Sequence, residues 1–153
     1  MIKAVYAGSF DPITNGHLDV IERSCRVFDE VVVAVIRNPN KTSRFSMEQR
    51  HDMIKESVGH ISNVSVAMFE GLLVNYVRSI DAKVVIRGIR AISDFDIEFQ
   101  MATTNRSLDP HLETVFMMTD TRYAYLSSSL VRELRALGGD ITQMVPAAVL
   151  KYV

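Results

Sequence analysis

The sequence has little cysteine, little net charge and no long apolar run. Its one cysteine, Cys25, cannot form an internal disulfide, and its place in an apolar helical pattern favours a buried structural thiol over a reactive one. Seventeen basic and eighteen acidic side chains leave a formal charge of -1, whereas a general nucleic-acid binder shows a clear basic excess. The longest apolar run, Val31–Ile36, is far shorter than the ~20 residues of a membrane span. We therefore expect no nucleic-acid partner and no membrane partner.

Repeats, low-complexity stretches and linkers are also missing from the 153 residues. A chain of this length corresponds to one domain of about 150 residues, so residues 1–153 are predicted to form a single domain. Glycine, Asp11 and Pro12 follow too soon after Met1 for the apolar region of a signal peptide. With 48% hydrophobic and 23% charged residues, the composition is typical of a soluble globular protein, which we expect in the cytoplasm.

Short β-branched runs alternate with segments of helical period. The strands are predicted at Ile2–Ala7, Val31–Ile36, Val64–Met68, Lys83–Arg87 and Thr114–Met118. Their nearly continuous apolar character is typical of parallel strands that are covered on both faces. Such alternation gives βαβ units with right-handed crossovers. The sequence therefore predicts a doubly wound, Rossmann-like α/β fold, with a parallel five-stranded sheet and helices on both faces.

Five helices are predicted between and after these strands. A capping box at Ser46–Gln49 starts one that runs to about Ser57, and Gly138-Gly139 is a plausible C-cap for the last. The last helix carries the stripe Leu130, Leu134 and Leu137, and the other three are predicted from buried stripes at three- and four-residue spacing: Leu18, Ile21, Cys25 and Phe28; Leu72, Leu73, Tyr76, Val77 and Ile80; Phe95, Phe99 and Ala102. Ligands of such folds bind beyond the carboxyl ends of the strands, where strand order reverses. Functional residues are therefore sought just after each strand.

The segment after the first strand carries the first candidate site. It reads Gly8-Ser9-Phe10-Asp11-Pro12-Ile13-Thr14-Asn15-Gly16-His17. Gly8 permits close approach of the backbone to a ligand, Ser9 offers a hydroxyl and an N–H, and His17 falls in the first turn of a helix. N–H groups at a helix N-terminus beside an imidazole suit a phosphate. A turn with a structurally satisfied histidine is the alternative. The segment resembles the T/H-x-G-H signature of the nucleotidylyltransferase superfamily.

A second candidate follows the fourth strand. Arg87 and Arg90 flank Gly88-Ile89, and guanidinium groups bind phosphate oxygens bidentately. Two solvated surface arginines are the alternative. Glu98 could face the same crevice as a partner for an arginine or a ribose, while a solvated helix face is nearly as plausible for Asp94 and Asp96.

Two further polar segments complete the set. Ser127, Ser128 and Ser129 open a helix, where they either cap it or also present hydroxyls and N–H groups to a triphosphate. Arg132, one turn beyond, either adds charge or faces solvent. The loop Arg37–Arg44 is either a solvated loop or a lid that folds Lys41 onto phosphates and excludes water.

Taken together, the four segments resemble bacterial-type phosphopantetheine adenylyltransferases, from Ala4-Val5-Tyr6 to the helix after Ser129. The family joins ATP and 4′-phosphopantetheine to give dephospho-coenzyme A and pyrophosphate. The resemblance implies Mg²⁺ that is bound with ATP rather than at a protein metal site, a homohexamer, and feedback by coenzyme A. Ser9 stands where many members carry threonine, and Tyr123 where some carry tryptophan.

The same resemblance implies roles for individual residues. The catalytic set is His17, Lys41 and Arg90. Binding of 4′-phosphopantetheine is expected at Ser9, Lys41, Leu73 and Arg87. ATP binding is expected at Ser9, Phe10, His17, Gly88, Ile89, Arg90, Glu98, Tyr123, Ala124, Tyr125, Leu126, Ser127, Ser128 and Ser129.

Two other functions compete with this interpretation. Another nucleotidylyltransferase would act on nicotinamide mononucleotide or a phosphorylated polyol, which the Arg87-Gly88-Ile89-Arg90 element and the compact length disfavour. A non-catalytic nucleotide sensor could use the same fold. It would have no need of a transition-state donor such as His17, and it would bind ATP without turnover.

Overall fold

Strands and helices alternate along the chain as predicted. The computed structural model describes residues 1–153. The elements in chain order are β1 (Lys3–Gly8), α1 (Asn15–Val27), β2 (Glu30–Arg37), α2 (Met47–Ser57), β3 (Val64–Glu70), α3 (Leu73–Ser79), β4 (Val84–Ile89), α4 (Ile92–Leu108), β5 (Glu113–Met118), a 3₁₀ turn (Thr121–Tyr123), α5 (Ser128–Ala136) and α6 (Ala147–Leu150). None of the helices is both long and apolar enough to cross a bilayer.

The five strands form one parallel sheet in the order β3-β2-β1-β4-β5. Ala7 of β1 pairs with Ala34 of β2, and Tyr6 pairs with Ile86 of β4 on the other side. The chain leaves β1 in one direction to build β2 and β3, then crosses back to add β4 and β5. Strand order therefore reverses between β1 and β4, and the doubly wound α/β prediction is confirmed.

Helices cover both faces of the sheet, and one apolar layer lies between the sheet and the helices on each face. Val31, Val33 and Val35 of β2 face one layer with residues of α1, α2, α5 and α6. Val32 and Ala34 face the other layer, which includes residues of α3. Alternate side chains of a strand point to opposite faces, so a strand that is covered on both sides is apolar throughout. This explains the unbroken run in β2.

One predicted buried stripe, on α4, is wrong, and the stripes on α3 and α5 each include an exposed residue: Leu72 is 59% exposed and Leu137 is 78% exposed. Helix α4 has no buried residue, and Phe95 and Phe99 are 43% and 52% exposed. Their rings contact each other, and Phe95 also meets Phe116 of the edge strand β5. The periodicity correctly indicated a helix, but α4 lies over the edge of the sheet, where one chain cannot cover its apolar side.

The stripe on α5 is also shifted. Val131 is the buried residue of this helix, Leu134 is partly buried, and Leu137 is 78% exposed because it lies beyond the last turn. The predicted glycine stop is confirmed. Gly138 has a φ of 80° and donates to the Arg135 carbonyl, while the N–H of the next residue donates to the Leu134 carbonyl, as in a Schellman motif.

Cys25 is partly buried rather than fully buried. It packs against the apolar layer that contains α1. Burial raises the pKa of its thiol, and the nearby Glu22 carboxylate adds to the effect. A raised pKa keeps the sulfur protonated at neutral pH, which agrees with a structural thiol.

Candidate active site

A cleft of about 270 Å³ opens at the carboxyl ends of β1 and β4, where the strand order reverses. The loop between β1 and α1 and the start of α1 form one wall, and the ends of β4 and β5, helix α4 and the segment before α5 form the rest. Ten of the residues to which the resemblance assigns a role line it: Ser9, Phe10, His17, Arg87, Gly88, Arg90, Glu98, Leu126, Ser127 and Ser128. At the carboxyl ends of the strands the fold thus brings together residues that are more than a hundred positions apart in the chain.

The loop after β1 is shaped around the buried ring of Phe10. This residue has a φ of 46°, a sparsely populated conformation for a non-glycine residue. Its ring packs edge-on against Tyr6 and His17, at centroid distances of 5.3 and 5.1 Å. A Cβ atom on Gly8 would lie 3.2 Å from the same ring. A side chain at this position would press on the ring of Phe10, which supports the wall of the cleft.

His17 is held by a reciprocal cap at the start of α1. The Thr14 hydroxyl accepts a hydrogen bond from the His17 N–H at 3.3 Å, and His17 Nδ1 accepts one from the Thr14 N–H at 3.0 Å. Glutamate or glutamine ordinarily fills this role of the third helical residue. Because Nδ1 accepts, the ring proton of a neutral imidazole resides on Nε2. That N–H remains available as a donor to the cleft.

The ionisation of His17 follows from its surroundings. Burial lowers the pKa of the imidazole to about 4, and the positive charges of Arg87 and Arg90 act in the same direction. The ring is therefore neutral at pH 7. A neutral Nε2–H is a hydrogen-bond donor that does not release its proton to solvent near neutral pH.

Arg87 is fixed between two strands and a helix. Its Nε and Nη2 atoms each donate to a carboxylate oxygen of Glu98 at 2.7 Å, and Nη1 donates to the Ala7 carbonyl at 2.6 Å. Burial acts to lower the pKa of Arg87, but the hydrogen bonds and charge of Glu98 outweigh it, so the pKa is raised. Glu98 therefore serves as the arginine partner, one of the two roles expected for it.

Arg90, just after the end of β4, has a matching arrangement. Asp94 accepts hydrogen bonds from the Arg90 backbone N–H, Nε and Nη2, and the Leu126 carbonyl accepts one from Nη1 at 2.6 Å. Burial acts to raise the pKa of Asp94, but its hydrogen bonds to Arg90 outweigh that and lower it. A carboxylate and a main-chain carbonyl therefore fix the orientation of each arginine in the cleft.

The three serines before and within α5 differ in what they do. Ser127 caps the helix by accepting from the Leu130 N–H at 3.0 Å, and the Ser128 hydroxyl donates to the Pro12 carbonyl at 2.8 Å. Ser129 is exposed and accepts from Arg132. Arg132 also donates to the Asp11 carbonyl at 2.7 Å, so it does not simply face solvent. All three hydroxyls take part in hydrogen bonds within the protein, and the first-turn N–H groups of α5 remain for a ligand.

Several residues singled out in the sequence do not line the cleft. They are Lys41, Leu73, Ile89, Tyr123, Ala124, Tyr125 and Ser129. Lys41 is exposed and borders a neighbouring depression with Arg37 and Arg50. Leu73 packs against the apolar layer beneath α3. Tyr123 lies next to Gly16 at the rim.

Four further lining residues were not recognised as site residues in the sequence: Tyr6, Ala7, Val20 and Thr119. Thr119 immediately follows β5, which is where functional residues are expected in this fold. Tyr6 and Ala7 lie inside β1 and Val20 lies inside α1, where their residue types suggest only packing.

Comparison with known proteins agrees with this geometry. Residues 5–134 match the cytidylyltransferase-like family. The chain is 55% identical to a phosphopantetheine adenylyltransferase of Heliobacterium modesticaldum, over 98% of this chain and 89% of that protein. It is 53% identical to one of Alkaliphilus oremlandii, over 100% of this chain and 98% of that protein.

A solved structure shares the fold at much lower identity. It is assigned to a nicotinate-nucleotide adenylyltransferase of Vibrio parahaemolyticus and superposes with a TM-score of 0.75 at 18% identity, over 99% of this chain and 98% of that chain. At this identity the likeness shows the fold alone. The full-length relatives above 50% identity decide the narrower assignment: this chain belongs to the phosphopantetheine adenylyltransferase family of nucleotidyltransferases.

Proposed function

We propose that this enzyme transfers the adenylyl group of MgATP to 4′-phosphopantetheine, with the cleft at the β1–β4 switch point as its active site. A phosphate oxygen of phosphopantetheine attacks the α-phosphorus of ATP. The bond from that phosphorus to the bridging oxygen breaks, pyrophosphate leaves, and dephospho-coenzyme A remains. The observation that carries this proposal is a neutral, oriented His17 imidazole between two arginines that are already aimed.

The chemistry matches what the cleft contains. A phosphate monoester has a second pKa near 6, so the nucleophile is already largely dianionic at pH 7 and no general base is needed. The remaining task is to align two polyanions and to stabilise the charge that develops on the α-phosphate. We assign that second task to His17 Nε2–H, because Nδ1 accepts from the Thr14 N–H and Nε2–H is the ring donor left for the cleft.

The substrate contacts are proposed as follows. Arg90 and the N-terminus of α5 would hold the triphosphate, and Arg87 with Ser9 would hold the phosphate of phosphopantetheine. Ser9 would also contact ATP, together with Phe10, His17, Gly88, Ile89, Glu98, Tyr123, Ala124, Tyr125, Leu126, Ser127, Ser128 and Ser129. Leu73 would line the pantetheine arm. Lys41 would reach the phosphate only after its loop moves toward the cleft, since the loop lies beside a separate depression.

Mg²⁺ enters as part of the MgATP substrate. The carboxylates that line the cleft, Asp94 and Glu98, already accept hydrogen bonds from Arg90 and Arg87. Phosphate oxygens and water are the ligands that Mg²⁺ commonly keeps in nucleotide sites. We therefore propose that this chain supplies no direct metal ligand.

We also propose that the enzyme works as a homohexamer in the cytoplasm, where ATP is available. The exposed apolar side of α4 supports burial between subunits: Ile92, Ile97 and Phe99 are 91%, 64% and 52% exposed. The subunit number itself follows from the family resemblance. Coenzyme A differs from the product by one phosphate, so we propose feedback by its occupation of the same cleft.

An acceptor panel tests the activity. Pyrophosphate release is measured with MgATP and, in turn, 4′-phosphopantetheine, nicotinamide mononucleotide and a phosphorylated polyol. Only phosphopantetheine should support turnover; release with another acceptor, or ATP binding without turnover, would contradict the proposal.

The role of His17 is tested with the variant His17→Ala. This change should lower kcat by roughly 10²–10³ with little change in either KM, which is the scale of losing one transition-state donor. An unchanged kcat would remove His17 from the mechanism.

A further inference from the structure

Arg50 is a buried charge with an unusual set of partners. It lies on α2 and is 3% exposed. Its Nε atom donates to the Phe45 and Ser46 carbonyls at 3.2 and 3.3 Å, and its Nη1 atom donates to the Ser9 and Ile36 carbonyls at 2.7 and 3.3 Å. Four main-chain oxygens, rather than a carboxylate, therefore satisfy this guanidinium.

These carbonyls belong to segments that are distant in the chain but adjacent around the active site. Ile36 lies near the end of β2, just before the loop that carries Lys41, and Phe45 follows that loop. Ser9 belongs to the wall of the cleft. One side chain thus ties both ends of the Lys41 loop to the segment that would contact the nucleophilic phosphate.

Asp11 complements Arg50 at the same place. Its carboxylate is 6% exposed and accepts hydrogen bonds from the backbone N–H groups of Arg44 and Phe45 at 2.8 and 2.9 Å. Between these anchors the loop is held only by itself. The Lys41 N–H and the Asn40 N–H both bond to Asn38, and residues 38–43 form no hydrogen bond to the rest of the protein.

We infer that Arg50 is a positioning residue for the phosphopantetheine phosphate. It fixes Ser9 and both ends of the loop, so that residues 38–43 alone move when Lys41 closes on the phosphate. Burying a guanidinium carries a large desolvation cost, and a lysine could not replace it because one ammonium has three donors and no rigid fork. The inference rests on the proposed roles of Ser9 and Lys41.

The test uses two variants, Arg50→Lys and Arg50→Met, and one matched control, Arg78→Lys. Arg78 is an exposed arginine on α3 that pairs with Asp109, outside the cleft. KM for each substrate and kcat are measured below the unfolding temperature of each protein. Arg50→Lys should raise the KM for phosphopantetheine by about tenfold or more, because a 1 Å misplacement far from the chemistry can cost up to ~10²-fold. The KM for ATP should stay within about twofold, because Ser9 is only one of many ATP contacts and the change leaves Arg90 and the N-terminus of α5 in place.

The contrary outcomes are distinct. A folded Arg50→Lys variant with both KM values unchanged, or with both raised equally, would overturn the positioning role, since a general loss of structure does not distinguish the substrates. If neither Arg50 variant folds, Asp11→Asn is used instead, because it loosens the same end of the loop. This variant must raise the KM for phosphopantetheine and not that for ATP, or the inference fails. Wild-type protein that does not use phosphopantetheine would refute the proposed function instead.

A second measurement does not depend on activity. Amide hydrogen exchange of Arg44 and Phe45 should accelerate at least about tenfold in Arg50→Lys, because the carbonyls beside these amides lose their shared donor. Amides in the middle of α1 serve as the internal reference. Unchanged protection of Arg44 and Phe45 would contradict the inference even if catalysis were altered.

Discussion

The neutral imidazole of His17 has a consequence for stability that can be measured without substrate. In the unfolded chain its pKa takes the ordinary value of 6.5, whereas burial in the folded protein lowers the pKa to about 4. Below pH 6.5 the unfolded chain therefore binds a proton at His17 that the folded protein does not bind until the pH approaches 4. The contribution of the neutral His17 to the free energy of unfolding is fully present above pH 6.5 and is lost as the pH falls toward 4.

The size of the effect follows from linkage. The difference between the two pKa values amounts to about 3 kcal/mol when fully expressed, of which about 2 kcal/mol is lost between pH 7 and pH 5. The perturbation is His17→Gln. Glutamine is a regular third residue of a capping box, so it can accept the Thr14 N–H but never takes up a proton in this range.

The assay is urea unfolding of the wild type and His17→Gln at several pH values between 7.5 and 5. The wild type should lose about 2 kcal/mol more than the variant over this interval. Parallel curves for the wild type and His17→Gln would refute the buried, neutral state of the ring, as would an NMR titration of His17 with a midpoint near 6.5.

Three further predictions concern neighbouring contacts. Thr14→Ala removes the N-cap of α1 and should lower the free energy of unfolding by about 1 kcal/mol; an unchanged urea midpoint would show that the cap is dispensable. Glu98→Gln removes the charge that offsets Arg87 and should lower stability by about 1–3 kcal/mol, measured by thermal unfolding; a more stable variant would mean that the pair is held at a net cost. Lys41→Ala should raise the KM for phosphopantetheine by about tenfold or more, the scale of one charge-assisted hydrogen bond, and an effect confined to ATP would overturn its assignment.

Most of the fold was predictable because two-sided burial leaves a simple signature. The strand β2 is apolar at every inward position on both faces, so a run such as Val31–Ile36 indicates its place in the middle of a covered parallel sheet. Strand order is not visible in such a run. The stripe on α4 shows the limit, since Phe95 and Phe99 have the spacing of a buried face but not the neighbours that would bury it.

The site was predictable where a residue follows a strand, and less so where its role depends on its partners. His17, Arg87 and Arg90 were recognised from their positions. That Nδ1 of His17 is occupied by Thr14, or that a serine of α5 binds Pro12, depends on distances that residue types do not encode. Arg50 illustrates the point further, because an arginine inside an amphipathic helix ordinarily faces water, and only the packed loop ends turn it inward.

The paired charges of the cleft bear on selectivity among anions in the cell. Arg87 and Arg90 each face a carboxylate, so the empty cleft does not present two bare cations that any small anion could neutralise. Inorganic phosphate or chloride offers charge alone and has to compete with a carboxylate that is already in place. A substrate that spans the cleft adds contacts along its whole length. Occupancy should therefore depend weakly on background salt and strongly on the length and shape of the ligand.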